Sequence, residues 1–196
     1  MSALIDRAKI YCISILEKSR CHKLPFHNEK HTLQVYENVV RIGAYEKLDF
    51  EELEPVLLAA LFHDLGNATT FQGHEDLGID KAKDFLCSEE YPKLKMDTVI
   101  KCIRATRMPQ QPKSIYENII CDADLYHLGT NEFLEKNMLL RKEWSEYLSM
   151  DYSDETWNTL NIQFLQQHKF HTNFGIEILE PIKKQNIEFL SNQKNF

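Results

Sequence analysis

Seven apolar residues in succession, Val56-Leu57-Leu58-Ala59-Ala60-Leu61-Phe62, run straight into His63-Asp64. No other stretch constrains the chain as much. The run is rich in Ala and Leu rather than in β-branched residues, so it predicts a helix, and because it is apolar on every side that helix belongs at the centre of a core. The carboxylate that follows then sits against a dry environment, where an ionised group is costly unless it is paired, hydrogen-bonded or bound to a cation. A second stretch, Ile119-Ile120-Cys121-Asp122-Ala123-Asp124-Leu125, poses the same problem twice. Asp122 and Asp124 are two residues apart, about 200° around a helix, so one regular helix cannot aim both into one site. Apolar neighbours lie on both faces, and periodicity does not choose between the two.

The rest of the chain reads as helix. Apolar residues recur every three or four positions through Leu4-Ile5-Ala8-Ile10-Ile13-Leu16 and Val35-Val39-Val40-Ile42. Further helices are expected at 51–65, 75–88, 93–107, 114–128, 130–150, 154–168 and 174–192, punctuated by Gly66, Gly73, Pro92, Pro109, Pro112, Gly129 and Gly175. No segment alternates like a strand, and no repeat or Ser/Gly linker divides the 196 residues, a length suited to one core. The expectation is therefore an all-α, compact, single-domain helical bundle over 1–196.

A formal charge of −7 gives no net basic field for a nucleic-acid polymer. No apolar run approaches the length that spans a bilayer, and charges at Asp6 and Arg7 interrupt any signal-peptide core. Five cysteines without a Cys-x-x-Cys pair suit reduced thiols in the cytoplasm, and all five are read as packing residues. Oligomeric state is not legible.

Nitrogen donors to accompany the carboxylates are available at His31 and His63. The order His31, then His63-Asp64, then Ala123-Asp124 resembles the H…HD…D signature of the HD-domain phosphohydrolase superfamily. The resemblance extends to Phe26-His27-Asn28-Glu29-Lys30-His31-Thr32-Leu33-Gln34-Val35 around the first histidine, to Ala59-Ala60-Leu61-Phe62-His63-Asp64-Leu65-Gly66 around the pair, and to Cys121-Asp122-Ala123-Asp124-Leu125. It covers about Phe26 to Gly129, leaving 130–196 as C-terminal helices packed on the motif-bearing part.

The resemblance implies one divalent cation held by His31, His63, Asp64 and Asp124, and it is the resemblance that selects Asp124 over Asp122. Two imidazoles with two carboxylates suit Mn²⁺, Fe²⁺, Co²⁺, Ni²⁺ or Zn²⁺, with Mg²⁺ allowed. The implied activity is hydrolysis of a phosphomonoester or phosphodiester of a small molecule, nucleotides first among them, with Asp64 both a ligand and the residue that orients water. His74 and Glu75 join Asp64 as catalytic candidates, and His27 and Arg107 are candidates to contact substrate. His22, His127, His168 and His171 are read as structural or surface residues, and the aromatic residues after Thr130 as core or lid. Asn67 stands where many members carry Lys, and Arg104-Ala105-Thr106 stands where dinuclear members carry further histidines. The missing histidines near residue 105 weaken a di-iron oxygenase reading; a non-catalytic nucleotide-sensing module that keeps the metal is the other alternative.

Overall fold

The computed structural model describes residues 3–193 and is helical throughout, with no strand among the described residues. Its elements are α1 (Ala3–Lys18), α2 (Glu29–Tyr45), α3 (Phe50–Phe62), α4 (His74–Ser88), α5 (Lys93–Ala105), α6 (Ile115–Asp124), α7 (Phe133–Leu148), α8 (Asp154–Gln167) and α9 (Glu180–Gln193). Single 3₁₀ turns intervene at Arg20–Lys23, Leu65–Ala68 and Tyr126–Gly129, and a π-turn at Gly175–Leu179 leads into α9.

The apolar run is the axis of the molecule. Every residue from Val56 to Phe62 is buried, and α3 packs against α1, α2, α4, α5 and α6. Asp49 starts α3 with a capping box: its side chain accepts from Glu52 N–H, and Glu52 Oε2 accepts from Asp49 N–H. Asn28 starts α2 in a related way, its Oδ1 accepting from Lys30 N–H and His31 N–H, so that His31 is set in the first turn.

Several helices end earlier than their periodicity suggests, and the ends carry the chemistry. The segment expected over 51–65 stops at Phe62, and the chain turns through His63 and Asp64 into Leu65–Ala68. Gly66 makes that turn possible, because a Cβ there would stand 2.0 Å from the His74 carbonyl oxygen. The segment expected over 114–128 likewise breaks at Asp124 into the turn Tyr126–Gly129. The expected 93–107 helix ends at Ala105, 130–150 shortens to Phe133–Leu148, and 174–192 opens on the π-turn.

The last third is tied to the core through polar groups. Asp122, fully buried, accepts from His171 N–H (2.9 Å), Thr172 N–H (2.8 Å) and the Thr172 hydroxyl (2.7 Å). Gly175 is the close neighbour that leaves room for it, since a Cβ there would lie 2.4 Å from Asp122 Oδ2. The buried Lys183 donates to His168 O at 2.6 Å and pairs with Glu180 at 2.8 Å. One cysteine departs from expectation. Cys87 is exposed, because it lies one residue, about 100° of helix, beyond the buried Leu86.

Candidate metal centre

The ends of α2, α3 and α6 meet at one point. His31, in the first turn of α2, is 7% exposed; His63, which closes α3, is 1% exposed. A donor atom from each, together with one from Asp124 at the end of α6, lies within 4.8 Å of the others. Asp124 Oδ1 is 3.3 Å from His31 Nε2 and 3.5 Å from His63 Nε2, while Asp64 Oδ2 is 3.4 and 3.3 Å from the same nitrogens. Donors bound at 2.0–2.1 Å to a common centre stand about 3.0–3.4 Å apart, so the spacing fits a single cation. His31 Nε2, His63 Nε2 and Asp64 Oδ2 are buried without any hydrogen-bond partner in the protein, which is the condition of ligand atoms aimed at a shared point.

The surrounding groups fix these side chains. His63 Nδ1 donates to Ala60 O at 2.9 Å, which turns the Nε2 lone pair toward the cluster. Asp124 Oδ2 accepts from Gln110 Nε2 at 3.3 Å. The other oxygen of Asp64, Oδ1, accepts from His74 Nε2 at 3.1 Å, and His74 Nδ1 donates to Phe71 O at 2.8 Å. Burial disfavours charge on His74, yet the Asp64 bond raises its pKa to about 9, and donation from both ring nitrogens is what an imidazolium requires. Burial also opposes charge on His63, Asp64 and Asp124. Their mutual contacts win: the carboxylates raise His63 well above the usual imidazole value, and the imidazoles hold Asp64 well below the usual carboxylate value and Asp124 lower too.

The two aspartates of α6 part company as their spacing demands. Asp124 faces the cluster and Asp122 the His171-Thr172 backbone, so the buried charge of Asp122 is met by N–H and O–H donors and not by a cation.

Of the substrate candidates, His27 lies beside His31, ring centroids 5.9 Å apart, and its Nδ1 is bonded to Glu143 on α7. Glu143 is fully buried and also accepts from Phe26 N–H (2.8 Å) and His27 N–H (2.9 Å). Burial works against a charged His27, but Glu143 raises its pKa. Arg107 is half-exposed at the rim, engaged with Asp76 at 2.8 Å and with the buried Glu75 at 3.7 Å.

Two further residues border the cluster. His127 stacks edge-on against Phe26 at 5.4 Å and borders the cluster, where burial and the charge of His31 bring its pKa down to about 3. Glu143 carried no local signal, lying more than a hundred residues from the histidine it holds.

Two cavities adjoin the cluster. One, of about 300 Å³, is lined by Gln34, Asn38, Arg41 and Lys136 together with His31 and Asp124. The other, of about 340 Å³, runs from Asp64, His74 and Asp124 past His27 to Leu140, Trp144 and Phe164 of α7 and α8. Among the described residues no helix is long and apolar enough to cross a membrane. A family model described as HD domain matches residues 28–129, and no curated protein or solved structure matches the chain.

Proposed function

The chain belongs to the HD-domain family, and from that membership we propose that it is a metal-dependent phosphohydrolase that acts on a small phosphate ester, with nucleotides the first class to test. The observation that carries the proposal is the convergence of His31, His63, Asp64 and Asp124, with His31 Nε2, His63 Nε2 and Asp64 Oδ2 buried and unpartnered. These four would hold one divalent cation. When bound, such a cation supplies an acidified water and draws charge from a phosphoryl oxygen.

The protein's own groups provide the rest. Asp64 divides its carboxylate, Oδ2 toward the ligand histidines and Oδ1 toward His74, so it can receive the proton of an attacking water while staying fixed. His74, protonated at both nitrogens, has a proton for the leaving oxygen as the phosphorus–oxygen ester bond breaks. Glu75 holds Arg107 at the rim, where its guanidinium can meet a phosphate. His27, held by Glu143, faces the same cavity. Five free cysteines and the absence of a membrane-spanning helix among the described residues support a cytoplasmic setting.

The test is metal analysis of protein purified without chelator, paired with phosphate release from a panel of nucleotides and simple phosphate esters. About one equivalent of transition metal, lost together with turnover in Asp64→Ala and His63→Ala, is the expected result. A protein that stays metal-free after reconstitution, or that binds metal and hydrolyses nothing on the panel, overturns the proposal.

A further inference from the structure

Resting on the phosphohydrolase reading, we infer that the cavity beyond the metal centre is a recognition pocket for one flat heteroaromatic ring with hydrogen-bond acceptors at its edge, and that Asn137 and Asn161 read that edge. The family match ends at residue 129, whereas this wall of the cavity comes from α7 and α8. Leu140, Trp144 and Phe164 give it apolar and aromatic faces, the surroundings that a planar ring prefers. At about 340 Å³ the cavity suits a single ring system and not a polymer.

Two amides lie in this apolar wall, both nearly buried: Asn137 at 7% exposure and Asn161 at 9%. Their orientation is settled by partners that cannot exchange roles. Trp157 Nε1, which only donates, gives its hydrogen to Asn137 Oδ1 at 2.6 Å. Asn137 Nδ2 therefore donates to Asn161 Oδ1, and Asn161 Nδ2 donates to Trp157 O at 2.7 Å. Each amide nitrogen has two hydrogens and uses one, which leaves a second N–H on each residue. A ligand with acceptors along one edge satisfies both; a carbocyclic or aliphatic ligand leaves them buried and unpaired, the larger cost in recognition.

The experiment compares adenosine 5′-monophosphate, phenyl phosphate and ribose 5-phosphate as substrates of the metal-loaded protein, and measures thermal shifts with each. The wild type is expected to favour adenosine 5′-monophosphate over ribose 5-phosphate by at least tenfold in kcat/KM. Leu140→Trp, which fills the cavity, is expected to reduce that ratio at least tenfold, and Asn161→Leu to reduce the preference for adenosine 5′-monophosphate over phenyl phosphate by about fivefold, the worth of one hydrogen bond. Ratios within a single variant are insensitive to partial loss of folded protein. If all three esters are cleaved alike and neither variant changes the ratios, the recognition pocket is refuted while the phosphohydrolase reading stands. If nothing is cleaved, yet adenosine 5′-monophosphate still stabilises the wild type and not Leu140→Trp, the pocket stands and the hydrolase reading falls. If no ester is cleaved and none stabilises the protein, both fall.

Discussion

Glu143 shows what a single residue does when it is buried with its charge. Its two oxygens collect the Phe26 and His27 backbone N–H groups and the His27 ring nitrogen, so the segment that leads into the His31 end of α2 hangs from α7. Burial alone would make this carboxyl hard to ionise, but the His27 contacts outweigh it and its pKa falls below the usual glutamate value. Glu143→Gln keeps the volume and one acceptor but sets an amide N–H against the imidazole. We expect a loss of about 1–3 kcal/mol in urea unfolding, the range for an unmet buried polar group, with a larger rise in KM than fall in kcat if His27 contacts substrate. An unchanged unfolding midpoint would show that the Phe26-His27 segment does not depend on this acid. The contrast with the candidate metal ligands is instructive. His31, His63-Asp64 and Asp124 lie within short, patterned stretches, so spacing and resemblance were enough to nominate them. Glu143 and Gln110 act on residues to which no local pattern connects them, and only the folded chain brings them near.

At the scale of elements, the decisive features are places where helices stop. Periodicity reported where helices exist but overran their ends at Phe62, Ala105 and Asp124, because a capped helix and a helix followed by a 3₁₀ turn have the same apolar stripe. What ends α3 is tertiary: the turn after Asp64 must pass close to the first residue of α4. The Gly66 position permits that passage, and Gly66→Ala would place a Cβ 2.0 Å from a backbone oxygen, which cannot move as a flexible side-chain tip can. We expect destabilisation of at least about 2 kcal/mol and displacement of His74 from Asp64, read as a loss of metal affinity out of proportion to the loss of stability. Retention of wild-type affinity and stability would mean that the turn is not held by this contact. The α6 carboxylates teach the complementary lesson. Their angular separation was legible, and it correctly denied them a common site, but the donors that meet Asp122 come from residues 171 and 172 and were beyond any reading of local spacing.

For the molecule as a whole, the five histidines with shifted pKa values divide into two groups whose effects on stability have opposite signs. His27, His63 and His74 have raised pKa values, so the stability they contribute is complete below about pH 6.5 and is lost as pH rises through their folded-state values. His127 and His168 are brought down to about 3, in each case first by burial; the charge of His31 adds to it at His127 and that of Lys183 at His168. An unfolded chain binds protons at both positions below about pH 6.5 while the folded chain does not, so each makes unfolding easier as pH falls from there toward 3. Between pH 7 and 5 one such histidine removes about 2 kcal/mol. The depressed carboxylates Asp64, Asp124 and Glu143 add their own losses only nearer pH 4 and below, which leaves pH 7 to 5 to the histidines. His168 is the better probe, because it lies where α8 meets the segment leading to α9, with Phe170 and Lys183 as its ring and hydrogen-bond neighbours. Its Nδ1, 3.4 Å from the Lys183 ammonium, can only accept there, which keeps the ring neutral. His168→Gln preserves a polar side chain that does not titrate. With both proteins kept metal-free by a chelator, its unfolding free energy should fall between pH 7 and 5 by about 2 kcal/mol less than that of the wild type. Parallel curves for the two proteins would place the acid sensitivity elsewhere and would mean that the folded chain admits a proton at His168.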